Sequence, residues 1–294
     1  MTVGIDGDVL RYELGAVALE KEEVFGITVE RPWPTSDVNE LVDQRIQSII
    51  ERSGESEFEV YVTGPGNFRF DIATIRPYKG NRAAVQKPYH WSTVSDRLLN
   101  HWGARTVEGI EADDALALAA TAATRAGLRY VIASRDKDLR QVPCLHYSWA
   151  CGESQPEKPV YGVEGLGEIE LVTVQHPKGK SNKVMGKGVR FFYSQMLTGD
   201  TVDNIQGCPQ VGPVKAVQLL QHVETEQEMF LKVAWEYKAK YGDGWKAALE
   251  ENARLLWLIQ DESWVTTEEA NGVIKYKVNQ YWESPTDDLG EYES

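Results

Sequence analysis

Cysteine is scarce in this sequence, and long apolar runs and a basic leader are both missing. The three cysteines, Cys144, Cys151 and Cys208, are an odd number without C-x-x-C spacing, which argues against a zinc site or a disulfide framework. They fit a reducing compartment. No apolar run approaches the length that spans a bilayer, and the first residues lack the pattern of a signal peptide. The sequence therefore predicts a cytoplasmic protein that does not enter membranes.

Positive charge is also in short supply. The 294 residues include 31 basic and 45 acidic side chains, a net charge of −14. A polyanion such as nucleic acid is repelled by a negative field, so the overall charge argues against a nucleic-acid partner. The length allows one large domain or two smaller ones, and the apolar fraction of 42% is ordinary for a globular protein.

The basic residues are nevertheless concentrated in two stretches. Residues 75–105 contain a single acid, Asp96, and interleave cations with aromatic rings (Arg76, Lys79, Arg82, Lys87, Arg97 and Arg105 with Tyr78, Tyr89, Trp91 and Trp102). Rings that stack on bases and cations that contact phosphates suit nucleic acid; the alternative is a solvated basic loop. Residues 176–190 carry no acid and form either a second basic patch or a mobile loop (Lys178, Lys180, Lys183, Lys187 and Arg190).

Strand and helix patterns alternate along the first half of the chain. Residues 2–10, 58–63 and 130–133 have the pattern of strands, and helices are predicted from Thr35 and over residues 112–126. A strand at the start of an α/β fold is usually central, and ligands bind beyond its carboxyl end. The second half reads as further short strands to residue 175, then helices over 189–197 and 225–260. The last residues, 285–294, are predicted to form a loosely ordered tail.

Eight carboxylates fall at predicted strand ends and helix starts. They are Asp6, Glu111, Asp113, Asp114, Asp136, Asp138, Asp200 and Asp203. Like charges held close together repel one another unless a cation neutralises them, and magnesium takes oxygen ligands. Two metal ions about 3.5–4 Å apart could activate a water and stabilise the leaving oxygen of a phosphodiester. Setting these eight aside leaves 37 acids against 31 bases, which weakens the objection from net charge.

Each of these acids also has a purely structural interpretation. Asp6 alone could be a turn or N-cap residue, and Asp136 and Asp138 could cap a short helix. Acids in a first helical turn favour the helix dipole, which explains one or two of Glu111, Asp113 and Asp114 but hardly all three. The Gly/Pro turn over 207–216 could present helix N–H groups to a phosphate, or could simply connect two helices.

Five motifs in order carry a resemblance to a known family. They are Val3-Gly-Ile-Asp-Gly-Asp8, Tyr78-Lys-Gly-Asn-Arg82, Glu111-Ala-Asp-Asp114, Ser134-Arg-Asp-Lys-Asp138 and Thr198-Gly-Asp-Thr-Val-Asp-Asn-Ile205, with the turn at 207–216 after them. Over residues 1–220 the chain resembles the 5′-nuclease (flap endonuclease) superfamily, and especially the stand-alone 5′-3′ exonucleases of bacteriophages. The resemblance implies a central, mostly parallel sheet with flanking helices in a metal-binding domain over residues 1–175. It further implies a helical arch near 75–105 and a helical domain over 176–294.

The resemblance also implies an activity and roles for particular residues. The chain would hydrolyse DNA, or RNA in a hybrid, from 5′ ends or at 5′ flaps, in the host cytoplasm if a phage encodes it. Two Mg²⁺ ions, replaceable by Mn²⁺, would be bound, the first by Asp6, Glu111, Asp113 and Asp114 and the second by Asp136, Asp138, Asp200 and Asp203. Lys79 and Arg82 would steady the scissile phosphate beside Tyr78, with Lys87 also contacting DNA. Residues 204–222 would form a helix-hairpin-helix that grips duplex backbone through Gly207, Gly212 and Lys215, with a K⁺ ion.

Two departures from the family pattern leave alternatives open. The family usually has an aspartate where this chain has Gly64, so a water or Asp71 is predicted to take its place. The turn carries Gln210 where the family favours its first glycine, and Lys215 comes one residue late. A PIN-type ribonuclease is a second hypothesis, against which the Tyr78–Arg82 motif and the turn argue. A DNA-binding protein that has lost catalysis is a third, suggested only by Gly64.

Overall fold

A computed structural model describes residues 1–82, 85–153, 155–176, 179–279 and 282–284. The predicted acidic tail over 285–294 and the basic residue Lys178 lie outside these described residues. Within them, none of the helices combines the length and the apolar character that crossing a bilayer requires.

Helices and strands alternate through the first half of the chain, as predicted. The helices are α1 Gly7–Val17, α2 Thr35–Ser53, α3 Arg69–Ile72, α4 Trp91–Asn100, α5 Ala112–Arg125, α6 Val189–Thr198, α7 Pro213–Leu220, α8 Glu226–Tyr241 and α9 Trp245–Leu256. The strands are β1 Thr2–Asp6, β2 Leu19–Val24, β3 Ile27–Pro32, β4 Glu57–Asn67, β5 Arg105–Gly109, β6 Tyr130–Ala133, β7 Leu145–Ser148, β8 Lys158–Gly162, β9 Glu168–His176, β10 Gly179–Lys187, β11 Val265–Ala270 and β12 Val273–Val278.

Eight strands form one central sheet in the order β11-β12-β5-β4-β1-β6-β7-β8. β1 lies between β4 and β6 and is parallel to both, and the outward pairs β4–β5, β5–β12 and β6–β7 are parallel too. Only the outermost pairs, β7–β8 and β11–β12, are antiparallel. The predicted mostly parallel α/β sheet with flanking helices is therefore confirmed, with β1 at its centre.

Helices cover both faces of this sheet. α1, α2 and α4 pack on one face against residues such as Val3 and Val131, and α5 packs on the other face against Ile132 and Val107. All four residues of β6 are buried, because successive side chains of a parallel strand enter opposite apolar layers. The unbroken apolar run at 130–133 is the sequence signature of this arrangement.

The second half of the chain differs from a purely helical region. α6–α9 do pack around a core of their own, but β11 and β12 return to the central sheet beside β5. The β9–β10 hairpin crosses the predicted division at residue 175. Within the basic stretch over 176–190, residues Gly179–Lys187 form strand β10. The division itself stays a prediction. So does the arch over 75–105, within which α4 packs against α1 and α2 through Val94 and Leu98.

One fully buried ion pair joins three distant segments of the fold. Arg69 of α3 donates from Nη1 and Nη2 to the two oxygens of Asp114 in α5, at 2.6 and 2.8 Å. The same guanidinium donates to the carbonyls of Leu255 and Trp257. Asp114 in turn accepts from the backbone N–H of Ile259 at 3.0 Å. The end of the α9 region is thereby fastened to the start of α5.

We predict that Asp114→Asn lowers the free energy of unfolding by about 3–5 kcal/mol, because it leaves a buried guanidinium without its counter-charge. Urea denaturation followed by far-UV circular dichroism would measure the change. Glu30→Gln, which breaks an exposed pair with Lys21, is the control and should change little. Equal stability of Asp114→Asn and wild type would contradict the structural importance given to this pair.

Candidate metal centre

An open cleft of about 750 Å³ lies where β1, β4 and β6 end and the helices after them begin. Six of the eight predicted metal ligands line it: Asp6, Glu111, Asp113, Asp136, Asp138 and Asp203. The carboxyl ends of parallel strands meet at one edge of a sheet, which is why acids that are distant in sequence converge here.

Asp6 lies at the base of the cleft and is almost fully buried. β1 ends at Asp6 rather than at residue 10, because this carboxylate caps α1 by accepting from the N–H groups of Asp8 and Val9 at 3.0 and 3.1 Å. Its other oxygen accepts from Ser134 Oγ at 2.6 Å. Burial, reinforced by repulsion from Asp8, raises the pKa of Asp6 to about 7. The predicted capping role and a place in the cleft are thus combined in one residue.

Glu111 and Asp113 enter the cleft at the start of α5. Glu111 is the N-cap of this helix, and its carboxylate accepts from Tyr78 Oη at 2.9 Å and pairs with Lys79 Nζ. Burial alone would raise the pKa of Glu111, but Lys79 and Arg69 lower it. Burial and repulsion from Asp6 raise the pKa of Asp113 well above its usual value. A positive charge bound beside Asp113 would stabilise its ionised form.

The acids after β6 are held by a chain of hydrogen bonds. Asp136 N–H donates to Ser134 Oγ at 2.9 Å, and Asp138 N–H donates to Asp136 Oδ1 at 2.8 Å. Burial and repulsion from Asp136 raise the pKa of Asp138 to about 6. Lys137 Nζ pairs with Asp138 at 3.3 Å and also with Asp200. Asp200 is buried beside the cleft and is connected to it through this lysine.

The Tyr78–Arg82 segment closes one side of the cleft. Tyr78 Oη also lies 3.1 Å from Asp203 Oδ2, so its single hydrogen is shared between Glu111 and Asp203. Arg82 Nη2 donates to Asp203 Oδ1 at 2.6 Å. Lys79 adopts a positive φ of 52°, and its N–H donates to the carbonyl of Asp203 at 2.9 Å. Burial alone would lower the pKa of Lys79, but Glu111 and Asp203 raise it. The segment therefore brings two charged cations to the acids.

Asp114 is brought to a different place from the other acids of its motif. It is fully buried, and its two oxygens accept four hydrogen bonds, from Arg69 twice and from the N–H groups of Glu111 and Ile259. A carboxylate has about four acceptor positions, so all are used. The geometry favours a structural role for Asp114, and its role as a metal ligand stays a prediction.

The residues predicted to contact DNA outside the cleft lie in two places. Lys87 lines the cleft rim, with Nζ 4.9 Å from the ring centre of Trp91. In the turn before α7, Gly207 is buried. Its N–H donates to Asn252 Oδ1, and its carbonyl accepts from Tyr241 Oη. Gly212 is exposed as the N-cap of α7, and Lys215 Nζ pairs with Glu236 at 2.6 Å. Of the three residues predicted to contact DNA here, Gly212 and Lys215 are exposed and Gly207 is not.

A divalent ion fits the chemistry of the cleft but would require the side chains to rearrange. In the described part of the chain, no three His, Cys, Asp or Glu side chains meet around a point where a metal ion could bind. Five of the eight predicted acids are paired with cations instead. Glu111 pairs with Lys79, Asp203 with Arg82, both Asp138 and Asp200 with Lys137, and Asp114 with Arg69 behind the cleft. The carboxylate donors suit a hard cation. Burial and, after it, repulsion between neighbouring carboxylates raise the pKa values of Asp6, Asp113 and Asp138, and a bound cation would oppose this by stabilising the ionised forms.

Several residues of the cleft were not predicted from the sequence. Asp8, Arg11, Thr63, Lys137 and Ser134 either line the cleft or hold its acids. Lys137 and Ser134 belong to the motif Ser134-Arg-Asp-Lys-Asp138, but no role was predicted for either. For Asp8, the available signal was the Asp6-Gly-Asp8 spacing, which the prediction of a strand over residues 2–10 obscured.

We predict that Asp6→Asn stabilises the protein against unfolding at pH 8 when divalent metal is removed by EDTA. Its carboxyl pKa of about 7 exceeds the unfolded value of about 3.9, so ionised Asp6 destabilises the fold above that range. The advantage of Asp6→Asn should shrink as pH falls from 8 towards 4. The measurement is melting temperature against pH for both proteins. An advantage that grows on acidification would have the wrong sign. Buried His146, whose pKa is lowered to about 4, changes stability with pH in the opposite sense. Its contribution is the same in both proteins and therefore cancels in the comparison.

Comparisons with known proteins agree with this architecture. No family model matches the chain. The sequence is 26% identical over 179 residues to a 5′-3′ exonuclease of Buchnera aphidicola, covering 60% of this chain and 56% of that protein. It is 33% identical over 120 residues to DNA polymerase I of Rhizobium leguminosarum, covering 39% and 10%, and 25% identical over 170 residues to that of Bacillus subtilis, covering 56% and 18%. The chain therefore spans about half of the exonuclease and less than a fifth of these polymerases.

Solved structures of bacteriophage T5 proteins share the fold. A T5 protein co-crystallised with metal ions superposes with a TM-score of 0.57 at 15% identity, covering 88% of this chain and 90% of that one. The T5 flap endonuclease in a complex with DNA and metal ions gives 0.57 at 14% identity, covering 88% and 89%. At such low identity the superposition establishes the fold alone. The chain therefore has the fold of these T5 proteins, as the resemblance to the 5′-nuclease superfamily implied.

Proposed function

We propose that the chain is a divalent-metal-dependent nuclease that hydrolyses phosphodiester bonds at the 5′ ends or 5′ flaps of duplex DNA. The observation that carries this proposal is the cleft, which six of the eight predicted metal ligands, from distant parts of the chain, line together with Lys79 and Arg82. The named activities of the exonuclease of Buchnera and of the T5 flap endonuclease support the same reaction.

Two Mg²⁺ ions, or Mn²⁺ in their place, are the proposed cofactors. Asp6, Glu111 and Asp113 would hold the first ion. The second ion would be held by four other acids: Asp136, Asp138, Asp200 and Asp203. When bound, such ions lower the pKa of a water and stabilise the charge on the leaving oxygen. The metal ions present in the T5 structures support this choice of cofactor class. Lys137 would have to release Asp200 for the second ion to bind there.

The chain's own cations have the proposed task of holding the substrate. Lys79 is kept charged by its carboxylate neighbours, and Arg82 presents a planar fork that suits two phosphate oxygens. Both lie on the segment that closes the cleft, so a phosphate that they bind would lie beside the acids. Charge stabilisation of this kind is typically the largest contribution to phosphoryl chemistry. Lys87 at the rim would contact the same strand.

Duplex recognition at a distance is assigned to the turn before α7. Gly212 at the N-terminus of α7 and Lys215 are exposed there and would contact the duplex backbone, and a K⁺ ion at the turn remains part of the proposal. RNA in a hybrid is a further proposed substrate. A cytoplasmic location, in a host cell if a phage encodes the chain, also belongs to the proposal.

The primary test is cleavage of 5′-labelled flap, nicked and blunt duplexes, and of an RNA–DNA hybrid, with Mg²⁺ and with EDTA. We predict Mg²⁺-dependent products from the 5′ end and a loss of Mn²⁺ affinity of about 10-fold or more in Asp113→Asn. Cleavage of single-stranded RNA alone would favour a PIN-type ribonuclease. Tight DNA binding without cleavage under any metal condition would favour a protein that has lost catalysis.

A second prediction concerns Lys79, one of the two cations proposed to hold the substrate. Lys79→Ala should lower the cleavage rate by about 10²-fold, because it removes a cation aimed at the developing phosphate charge, while Mn²⁺ binding measured by calorimetry persists. Lys232→Ala, which removes an exposed cation of α8, is the matched control and should cleave normally. An unchanged rate in Lys79→Ala would remove this residue from the proposed machinery.

A further inference from the structure

Asp8 is a cleft carboxylate without a role in the function proposed above. It lies in the first turn of α1 and lines the same cleft as Asp6 and Asp113. The sequence prediction placed it in a strand, and the eight predicted ligands do not include it. Asp8 thus shares the cleft with two of the acids proposed to hold the first ion.

The carboxylate of Asp8 is held firmly at the end of β4. The N–H of Thr63 donates to both of its oxygens, at 3.1 and 3.2 Å, and Arg11 Nη1 donates to Oδ1 at 3.1 Å. A carboxylate has about four acceptor positions, and these bonds use three of them. The side chain remains 29% exposed. Asp8 is therefore fixed in orientation, and among the described residues nothing further donates to Oδ2, which leaves an acceptor position there.

Neither a side chain at residue 64 nor Asp71, which was predicted to take its place, reaches the cleft. A Cβ at Gly64 would lie 2.6 Å from Thr106 Cγ2 and 3.0 Å from the carbonyl of Val107, so a side chain there would point into β5. Asp71 is exposed on α3 and is not among the residues that line the cleft. Asp8, by contrast, bonds directly to the residue that precedes Gly64.

We propose that Asp8 supplies the carboxylate that this chain lacks at residue 64, as an outer acid of the metal centre that accepts a hydrogen bond from a water ligand of the first ion. Mg²⁺ usually keeps several of its waters, and acids that bind such waters strengthen metal binding. The inference rests on the proposed function, because it assumes that Asp6 and Asp113 hold an ion.

The test is Mn²⁺ binding to the full chain by isothermal titration calorimetry, with melting temperature in EDTA measured in parallel. Asp8→Asn keeps an oxygen that can accept from Thr63 N–H but loses the charge, and should weaken Mn²⁺ binding by about 10-fold. Asp71→Asn is the matched control and should bind Mn²⁺ as wild type does. If Asp8→Asn fails to fold, Asp8→Ser, which retains a short acceptor, takes its place.

The outcomes separate this inference from the proposed function. If wild type binds Mn²⁺, Asp113→Asn does not, and Asp8→Asn binds as tightly as wild type, the role of Asp8 is overturned while the metal centre stands. A lower melting temperature of Asp8→Asn with unchanged Mn²⁺ affinity would likewise reduce Asp8 to a link between α1 and β4. Weakened binding in Asp71→Asn would also overturn the assignment. If wild type binds no Mn²⁺, both proposals fail together.

Discussion

The pairing of Arg69 with Asp114 is the interaction on which the rest of the structure depends. A guanidinium and a carboxylate can both be buried only if each is neutralised and its remaining donors and acceptors are used. Here the other N–H groups of Arg69 donate to the carbonyls of Leu255 and Trp257 at the end of α9. The other acceptor positions of Asp114 accept from the N–H groups of Glu111 and Ile259. The start of α5 is thus fixed from behind, so that Glu111 and Asp113 face the cleft on the opposite side.

The cleft itself is built from interactions that oppose stability. Ionised Asp6, Asp113 and Asp138 repel their neighbours in a partly desolvated space, and cations from other segments compensate only some of them. Such a conflict between local energetics and fold is expected at functional sites. This conflict distinguishes the cleft from the Arg69–Asp114 pair, in which each charge is neutralised by the other.

The sequence allowed prediction of features that depend on local patterns. α5, β6 and α2 follow from apolar spacing and helix-start signals, and the convergence of Asp6 with Asp136 follows from the rule that ligands gather beyond parallel strands. Features that depend on distant partners could not be predicted. Arg69 and Asp114 are 45 residues apart, and nothing local distinguishes Asp114 from Asp113. β11 was missed because its residues are mostly exposed and polar, so that its sequence lacks the alternation of a strand.

The bonds between the Tyr78–Arg82 segment and the acids have a thermodynamic consequence. Lys79 and Arg82 each neutralise an acid, Glu111 and Asp203 respectively. A polyanion that attracts these two cations leaves both acids with uncompensated charge, which increases their affinity for a small cation. A small cation at the acids frees Lys79 and Arg82 in the same way. The two kinds of ligand are then positively linked, and the coupling free energy is the same in whichever order they bind.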